Sequence, residues 1–277
     1  MKPYAELLEF NQPNPIRKTG FTRIRDAFDG LSEHLILVHK SPALGLSTES
    51  VNASYGGFKN PERIIEFAGR WDYGEKNARK LGETVTEKGG ITPGQIPIIQ
   101  KYLSMGHESM IEMGWATFFI ECSRVVSHEL VRHRLASYQQ ESQRFVKYDD
   151  AEFEDTFYTP DGMSDVETYS PSDLVGDTSV TAKEEFDSAY SYALTVYKNL
   201  RESSVAPQIA RYVLPNAMRT RLVMTANIRE WRHILRLRLD KSAQPEMQEL
   251  MQQVYDQLIE VFPNALYGIP TGERSVR

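Results

Sequence analysis

Apolar residues recur along this chain with two spacings, one helical and one alternating. After Asn60-Pro61, residues Ile64, Ile65, Phe67, Ala68 and Trp71 keep close to the helical period, with Pro where a helix start tolerates it. A second helix is expected from about Pro97 to Met105, stopped by Gly106. Trp115–Cys122 is aromatic and β-branched, which suits a strand. Ser123 can cap a short helix through Val125, Val126, Leu130 and Val131 that delivers Arg132 at its end. Thr181-x-x-Glu184 is a capping box, and Phe186, Ala189, Tyr190, Ala193, Leu194, Tyr197 and Leu200 mark one face of the helix it opens. Next come a short helix around Gln208–Val213, a strand over Met218–Asn227 and a basic helix over Arg229–Leu239. Pro245 opens a last helix whose face is Met247, Leu250, Met251, Val254 and Leu258, and Pro263 ends it. Weaker signals predict strands at Leu35–Val38 and from Phe145-Val146 onward, with loop over 41–60.

Residues 1–33 carry turn signals (Asn11 to Pro15, Asp29-Gly30) and read as an N-terminal extension with some helix. That leaves 34–277 as a single domain, with no convincing linker to divide it. Between 149 and 187, 13 acidic residues stand against the single Lys183, punctuated by Pro160, Gly162, Pro171 and Gly176. Such a run predicts an acidic insertion over about 150–180, either a solvated surface loop or a mobile cover over a site.

Composition narrows the class. A chain of 277 residues can bury its own core. Its net charge of −6 argues against general affinity for nucleic acid but leaves room for a local basic pocket. Cys122 stands alone, so no internal disulfide or thiolate metal site is expected, and a reducing, cytoplasmic setting fits. Met1–Glu6 lacks the apolar run of a secretion signal, and no apolar stretch is long enough for a bilayer.

The densest chemistry lies in Arg132-His133-Arg134, followed by Ser137 and by Gln140-Glu141-Ser142-Gln143-Arg144. Planar Arg forks suit anions, while hydroxyls and amides suit uncharged heterocycle edges. A second basic group runs from Arg211 to Lys241. On its helix Arg229, Arg232, His233 and Arg236 share a face, and Arg238 lies toward the apolar side. These cations could bind a phosphorylated ligand or pair with the acidic surplus. His107 and Glu112 form a smaller group. His128-Glu129 with His133 resembles a zinc-protease helix. The second His falls five residues on, about 500° around the helix instead of 400°, so no metal is expected.

Arg132-His133-Arg134, seven residues, then Ser142 resembles the signature of the flavin-dependent thymidylate synthases. Three further blocks resemble that family in the same order. They are Gly106-His107-Glu108-Ser109 with Glu112, then Ala210 to Pro215, then Asn227-x-Arg229 through Arg238 to Ala243-Gln244. Together they cover about residues 60–262. The resemblance implies an α+β fold, with a central, mostly antiparallel sheet flanked by helices. It implies methylation of dUMP to dTMP, with methylenetetrahydrofolate as carbon donor and FAD, recharged by NADPH, as hydride source. It also implies a homotetramer with shared active sites.

Residue roles follow by position in the motifs. Arg132, His133 and Arg134 would hold FAD, with Arg132 also reaching the nucleotide, and Ser109, Glu112, Asn227, Arg229 and His233 would add flavin contacts. Glu129, Gln140, Glu141, Ser142, Gln143, Arg144 and Arg211 would line the dUMP pocket. Arg238 would polarise the uracil imide, and His107 would support turnover beside the flavin. Two positions depart from the pattern. Many relatives have Asn-Glu at Gln139-Gln140, so a base at Gln140 is not implied, and some have His at Ser242. The sequence leaves two other classes open: a nucleic-acid-binding module using the Arg211–Lys241 face, and a flavin-binding scaffold without synthase activity.

Overall fold

An antiparallel sheet of four strands organises the chain in a computed structural model that describes residues 4–10, 62–72, 97–160, 163, 167–169 and 179–269. The strands are β1 (Tyr4–Phe10), β2 (Trp115–Ser123), β3 (Ala136–Gln140) and β6 (Arg219–Asn227), in the spatial order β1-β2-β6-β3. A separate hairpin pairs β4 (Glu167–Tyr169) with β5 (Ser179–Thr181). The helices are α1 (Glu62–Asp72), α2 (Pro97–Ser104), α3 (Arg124–Leu130), α4 (Phe153–Thr156), α5 (Ala182–Glu202), α6 (Pro207–Ala210), α7 (Ile228–Arg238) and α8 (Pro245–Val261). Short 3-10 turns cover Ser109–Met113 and Arg211–Val213.

Alternation explains the central pair. Ala116, Phe118, Ile120 and Cys122 of β2 are buried, and register sets the first three opposite Ala226, Met224 and Leu222 of β6. This face packs on α7 and α8. Trp231 lies edge-on to Phe118 at 5.1 Å, and its indole N–H donates to Ala116 O at 3.1 Å. From α8 come Met247, Leu250, Met251, Val254 and Leu258, all fully buried, as their spacing predicts. Gly114, between the 3-10 turn and β2, admits no side chain: a Cβ there would meet Ile228 and Ile65 at 3.0 Å. Glu62 closes the core from α1, accepting from Asn264 N (2.8 Å), Asn264 Nδ2 (2.6 Å) and Ala265 N (2.7 Å) just beyond α8.

Several expectations change. Tyr4–Phe10, expected within an extension containing helix, is the edge strand β1, paired with β2 through a shift between Leu7 and Glu9. Phe145-Val146 is a turn, not a strand start: both backbone N–H groups bond Ser142 O at 3.0 Å, beyond the last β3–β6 pair, Gln140 opposite Leu222. The acidic stretch is more than a solvated loop where it is described. Phe157 and Tyr158 are buried, and Phe157 packs with Leu194 and Met218. Leu35–Val38 and the loop over 41–60 lie outside the described residues.

Candidate functional site

Two strand-to-helix junctions build the site. Ser123 ends β2, and its Oγ accepts from Val126 N at 3.2 Å to start α3. Asn227 ends β6, and its Oδ1 accepts from Glu230 N at 2.9 Å to start α7. The strands are antiparallel, so the helices start at opposite ends of the pair. Their C-terminal ends meet.

At that meeting point Arg238 is held from two elements. Its Nη1 donates to Glu129 Oε2 at 2.5 Å and its Nη2 to Glu129 O at 3.4 Å. Its Nε donates to His133 Nε2 at 3.1 Å. His133 is buried, with Nδ1 3.8 Å from Glu230 Oε1 and its ring edge-on to His233 at 6.0 Å. Burial first, then the cations Arg238, His233 and Arg132, push the His133 pKa down to about 4, so the imidazole is neutral at pH 7. Tyr138 of β3 sits beneath the turn, with its hydroxyl 2.6 Å from Leu130 O and 3.0 Å from His133 O. Burial raises the Tyr138 pKa and keeps that hydroxyl a donor.

A second group lines a cleft of about 450 Å³ formed by Gly69, Asp72, Gly106 to Met110 and Arg229. It therefore contains His107 and Ser109. Glu108 draws in Arg229 (3.6 Å), Arg232 (3.8 Å) and Arg236 (3.4 Å). Glu112 takes Arg229 Nη1 at 2.5 Å. Arg232 is the buried member, donating to Ala265 O at 2.5 Å and Tyr267 O at 2.9 Å, and so anchors the C-terminal turn.

A third group follows β3. Gln140 Nε2 donates to Ser127 Oγ and Thr220 Oγ1, both at 3.1 Å. The carboxylate of Glu141 is engaged within the chain, by Tyr148 Oη at 2.7 Å and Arg221 Nη1 at 3.7 Å. Gln143 Nε2 reaches Met218 Sδ at 2.8 Å. Ser142 Oγ accepts from Arg144 N at 3.3 Å and shapes the turn. Arg144 itself is exposed and Arg211 half-buried.

Pairing separates the cations into two sets. Arg219, Arg221, Arg229, Arg232, Arg236 and Arg238 all face carboxylates of Glu121, Glu108, Glu112, Glu129 or Glu141. The Arg211–Lys241 stretch is thus largely neutralised from within and offers no continuous cationic face, which removes the basis for a nucleic-acid-binding module. By contrast Arg132, Arg134, Arg144 and Arg211 have no carboxylate partner among the described residues. Charged forks left open in this way fit ligands that carry phosphate, as a flavin dinucleotide and a nucleotide do. His128 is exposed while His133 is buried against α7, so the two do not share a face.

Two side chains of the site, Tyr138 and Glu230, carried no sequence signal, and a third, Glu108, carried none beyond its place in a motif. Glu108 sits inside a motif but looks like ordinary surface charge until three arginines fold onto it. The other two act on His133, and only the folded register shows that.

A family model described as thymidylate synthase complementing protein matches residues 55–264. A flavin-dependent thymidylate synthase of Pyrococcus furiosus is 33% identical over 197 residues, covering 70% of this chain and 70% of that protein. Another, of Geobacter sulfurreducens, is 34% identical over 194 residues, covering 69% and 74%. A third, of Sulfolobus acidocaldarius, is 34% identical over 214 residues, covering 74% and 71%. Among solved structures, a UMP/dUMP methylase PolB from Streptomyces cacaoi bound with 5-Br dUMP shares the fold. It has a TM-score of 0.57 at 22% identity, covering 74% of this chain and 88% of that one.

Proposed function

The chain belongs to the flavin-dependent thymidylate synthase family, and from that premise we propose that it methylates dUMP to dTMP. Methylenetetrahydrofolate is the carbon donor and tetrahydrofolate the folate product. Bound FAD, reduced by NADPH, supplies the hydride.

The observation that supports this reading is the setting of Arg238. C5 of uracil is a poor nucleophile. A fixed cation at the imide edge stabilises negative charge delocalised from the imide into the ring, and that charge makes C5 nucleophilic enough to attack the methylene. Arg238 is always charged and is oriented by Glu129 and His133, yet its side chain keeps 18% of its surface open. An imide oxygen can therefore approach it. Arg144 and Arg211, uncompensated on the β3 side, would take the nucleotide phosphate. Glu129, Gln140 and Ser142 would complete the pocket wall, while Glu141 and Gln143 shape it from behind through Tyr148 and Met218.

The flavin would lie along Arg132, His133 and Arg134 and reach the cleft of Ser109, Glu112 and Arg229, with His107 at its edge. Asn227 has committed its carbonyl oxygen to the start of α7, so only its amide N–H groups remain for a ligand. No residue of this chain needs to attack the pyrimidine covalently: Cys122 is fully buried, and burial pushes its thiol pKa well up. A lone buried thiol also suits the reducing cytoplasm.

Large apolar side chains flank the same segments. Leu135 is 77% exposed, Phe145 77% and Tyr212 82%. Apolar groups of this size beside an active site fit an interface between copies of the chain. A homotetramer that completes each site with a neighbour's residues is therefore the expected assembly.

The direct test of the flavin role is spectroscopic. Purified protein loaded with FAD should be yellow, bleach with NADPH and regain colour with dUMP and methylenetetrahydrofolate. Protein that takes up no FAD would sink the proposal.

A further inference from the structure

We propose that Glu230 is a positioning residue for this reaction: its carboxylate holds the His133 proton on Nδ1, leaving Nε2 as the acceptor that aims Arg238. The inference rests on the proposed role of Arg238.

A guanidinium N–H can only donate. Arg238 Nε lies 3.1 Å from His133 Nε2, so Nε2 must be the unprotonated nitrogen. A neutral imidazole then carries its proton on Nδ1. Glu230 Oε1 stands 3.8 Å from that nitrogen. The separation exceeds a hydrogen bond, but it brings a full negative charge to the positive end of the Nδ1–H dipole. The opposite tautomer would turn a lone pair toward the carboxylate and an N–H toward Arg238 Nε. Both contacts would then be repulsive.

The burial of Glu230 makes the case specific. It is 6% exposed, and among the described residues no hydrogen bond ends on its carboxylate. An acid in the first turn of α7 would favour the helix dipole equally well at an exposed position, so the dipole does not explain the burial. The groups facing His133 complete the picture. Arg238, Arg132 and His233 disfavour a second proton on the ring, and Glu230 is the anion at its other nitrogen. Glu129 then fixes the far side of Arg238. The chain of contacts Glu230–His133–Arg238–Glu129 ties the first turn of α7 to its last residue through a loop residue between them.

The test is a double-mutant cycle read as kcat/KM for dUMP in the FAD-loaded enzyme. Gln at 230 keeps the shape but can present either an acceptor or a donor to Nδ1, so the tautomer is no longer fixed. Glu230→Gln should lower kcat/KM about tenfold, in the range typical for removing a partner that orients a working histidine. In the Arg238→Ala background the same change should cost less than about twofold, because the group being aimed is gone. Flavin content should be equal in all four proteins. An equal loss in both backgrounds, or no loss in either, overturns the inference. If Glu230→Gln does not fold, 15N spectra of histidine-labelled unmutated enzyme decide it, with His133 assigned by its absence in His133→Asn. Protonated Nδ1 with bare Nε2 is expected, and protonated Nε2 at neutral pH overturns it. A failure of the underlying reading looks different: Arg238→Ala would then turn over normally, whatever the tautomer.

Discussion

Arg238 and Arg229 sit on one helix and both face carboxylates, yet their removal should have different consequences. Arg238→Ala should lower dTMP formation by about 10²–10³, the usual loss for one well-placed electrostatic donor, with flavin still bound. A normal rate in a discontinuous dTMP assay would show that the role is misassigned. Arg229 is half exposed, and such pairs contribute at most about 1 kcal/mol. Arg229→Ala should therefore leave Tm nearly unchanged while weakening FAD retention, measured by equilibrium dialysis. His133 gives a pH signature. Its pKa moves from 6.5 in the unfolded chain to about 4 in the fold. Its contribution is full above pH 6.5 and is lost as pH falls toward 4, by up to roughly 3 kcal/mol. Urea titrations at pH 7 and pH 4.5 should show the enzyme losing more stability on acidification than His133→Asn does. At this scale the Arg132–Arg144 stretch was legible because guanidinium and hydroxyl chemistry is written in residue type. Glu230 and Tyr138 were not, since their roles depend on which group α7 and β3 bring alongside.

Helix starts were the most legible elements because capping is local. Ser123, Thr181 and Asn227 each accept a backbone N–H two or three residues into the helix they open. Sequence marked the first two as caps, and Asn227 is positioned the same way. Thr181→Ala should cost about 1 kcal/mol and lower Tm by about 2 °C, read by thermal circular dichroism, with dTMP synthesis unaffected. Strands were less legible at the sheet's edges. β1 carries Glu6 and Glu9, which interrupt the alternation that marked β2, and its pairing partner is more than 100 residues away. Phe145-Val146 failed for the converse reason: the propensity is there, but the sheet offers no partner after Gln140. The two faces of α7 were half legible. The shared face of Arg229, Arg232 and Arg236 followed from helical spacing, whereas its closure on Glu108 needed the fold.

At the level of the whole molecule, the acidic surplus does structural duty. It neutralises the basic stretch from within and leaves the open arginines at the site. Glu62 ties α1 to the turn after α8, and burial raises its pKa from 4.5 to about 7. The sign opposes that of His133: this contribution is full below pH 4.5 and is lost as pH rises toward 7. Glu62→Gln should flatten that part of the stability profile, and a variant with the slope of the unmutated enzyme would show that Glu62 is not its source. The exposed Leu135, Phe145 and Tyr212 predict assembly. Leu135→Asp should shift the species seen by analytical ultracentrifugation toward monomer and abolish turnover, and an active monomer would rule out shared sites. The reaction turns on the origin of the hydride, and the folate product of a single turnover reports that origin. Enzyme reduced by NADPH, then mixed with dUMP and methylenetetrahydrofolate, should yield dTMP with tetrahydrofolate. If dTMP formed with dihydrofolate and without NADPH, the folate itself would be the hydride donor, contradicting flavin-dependent synthesis.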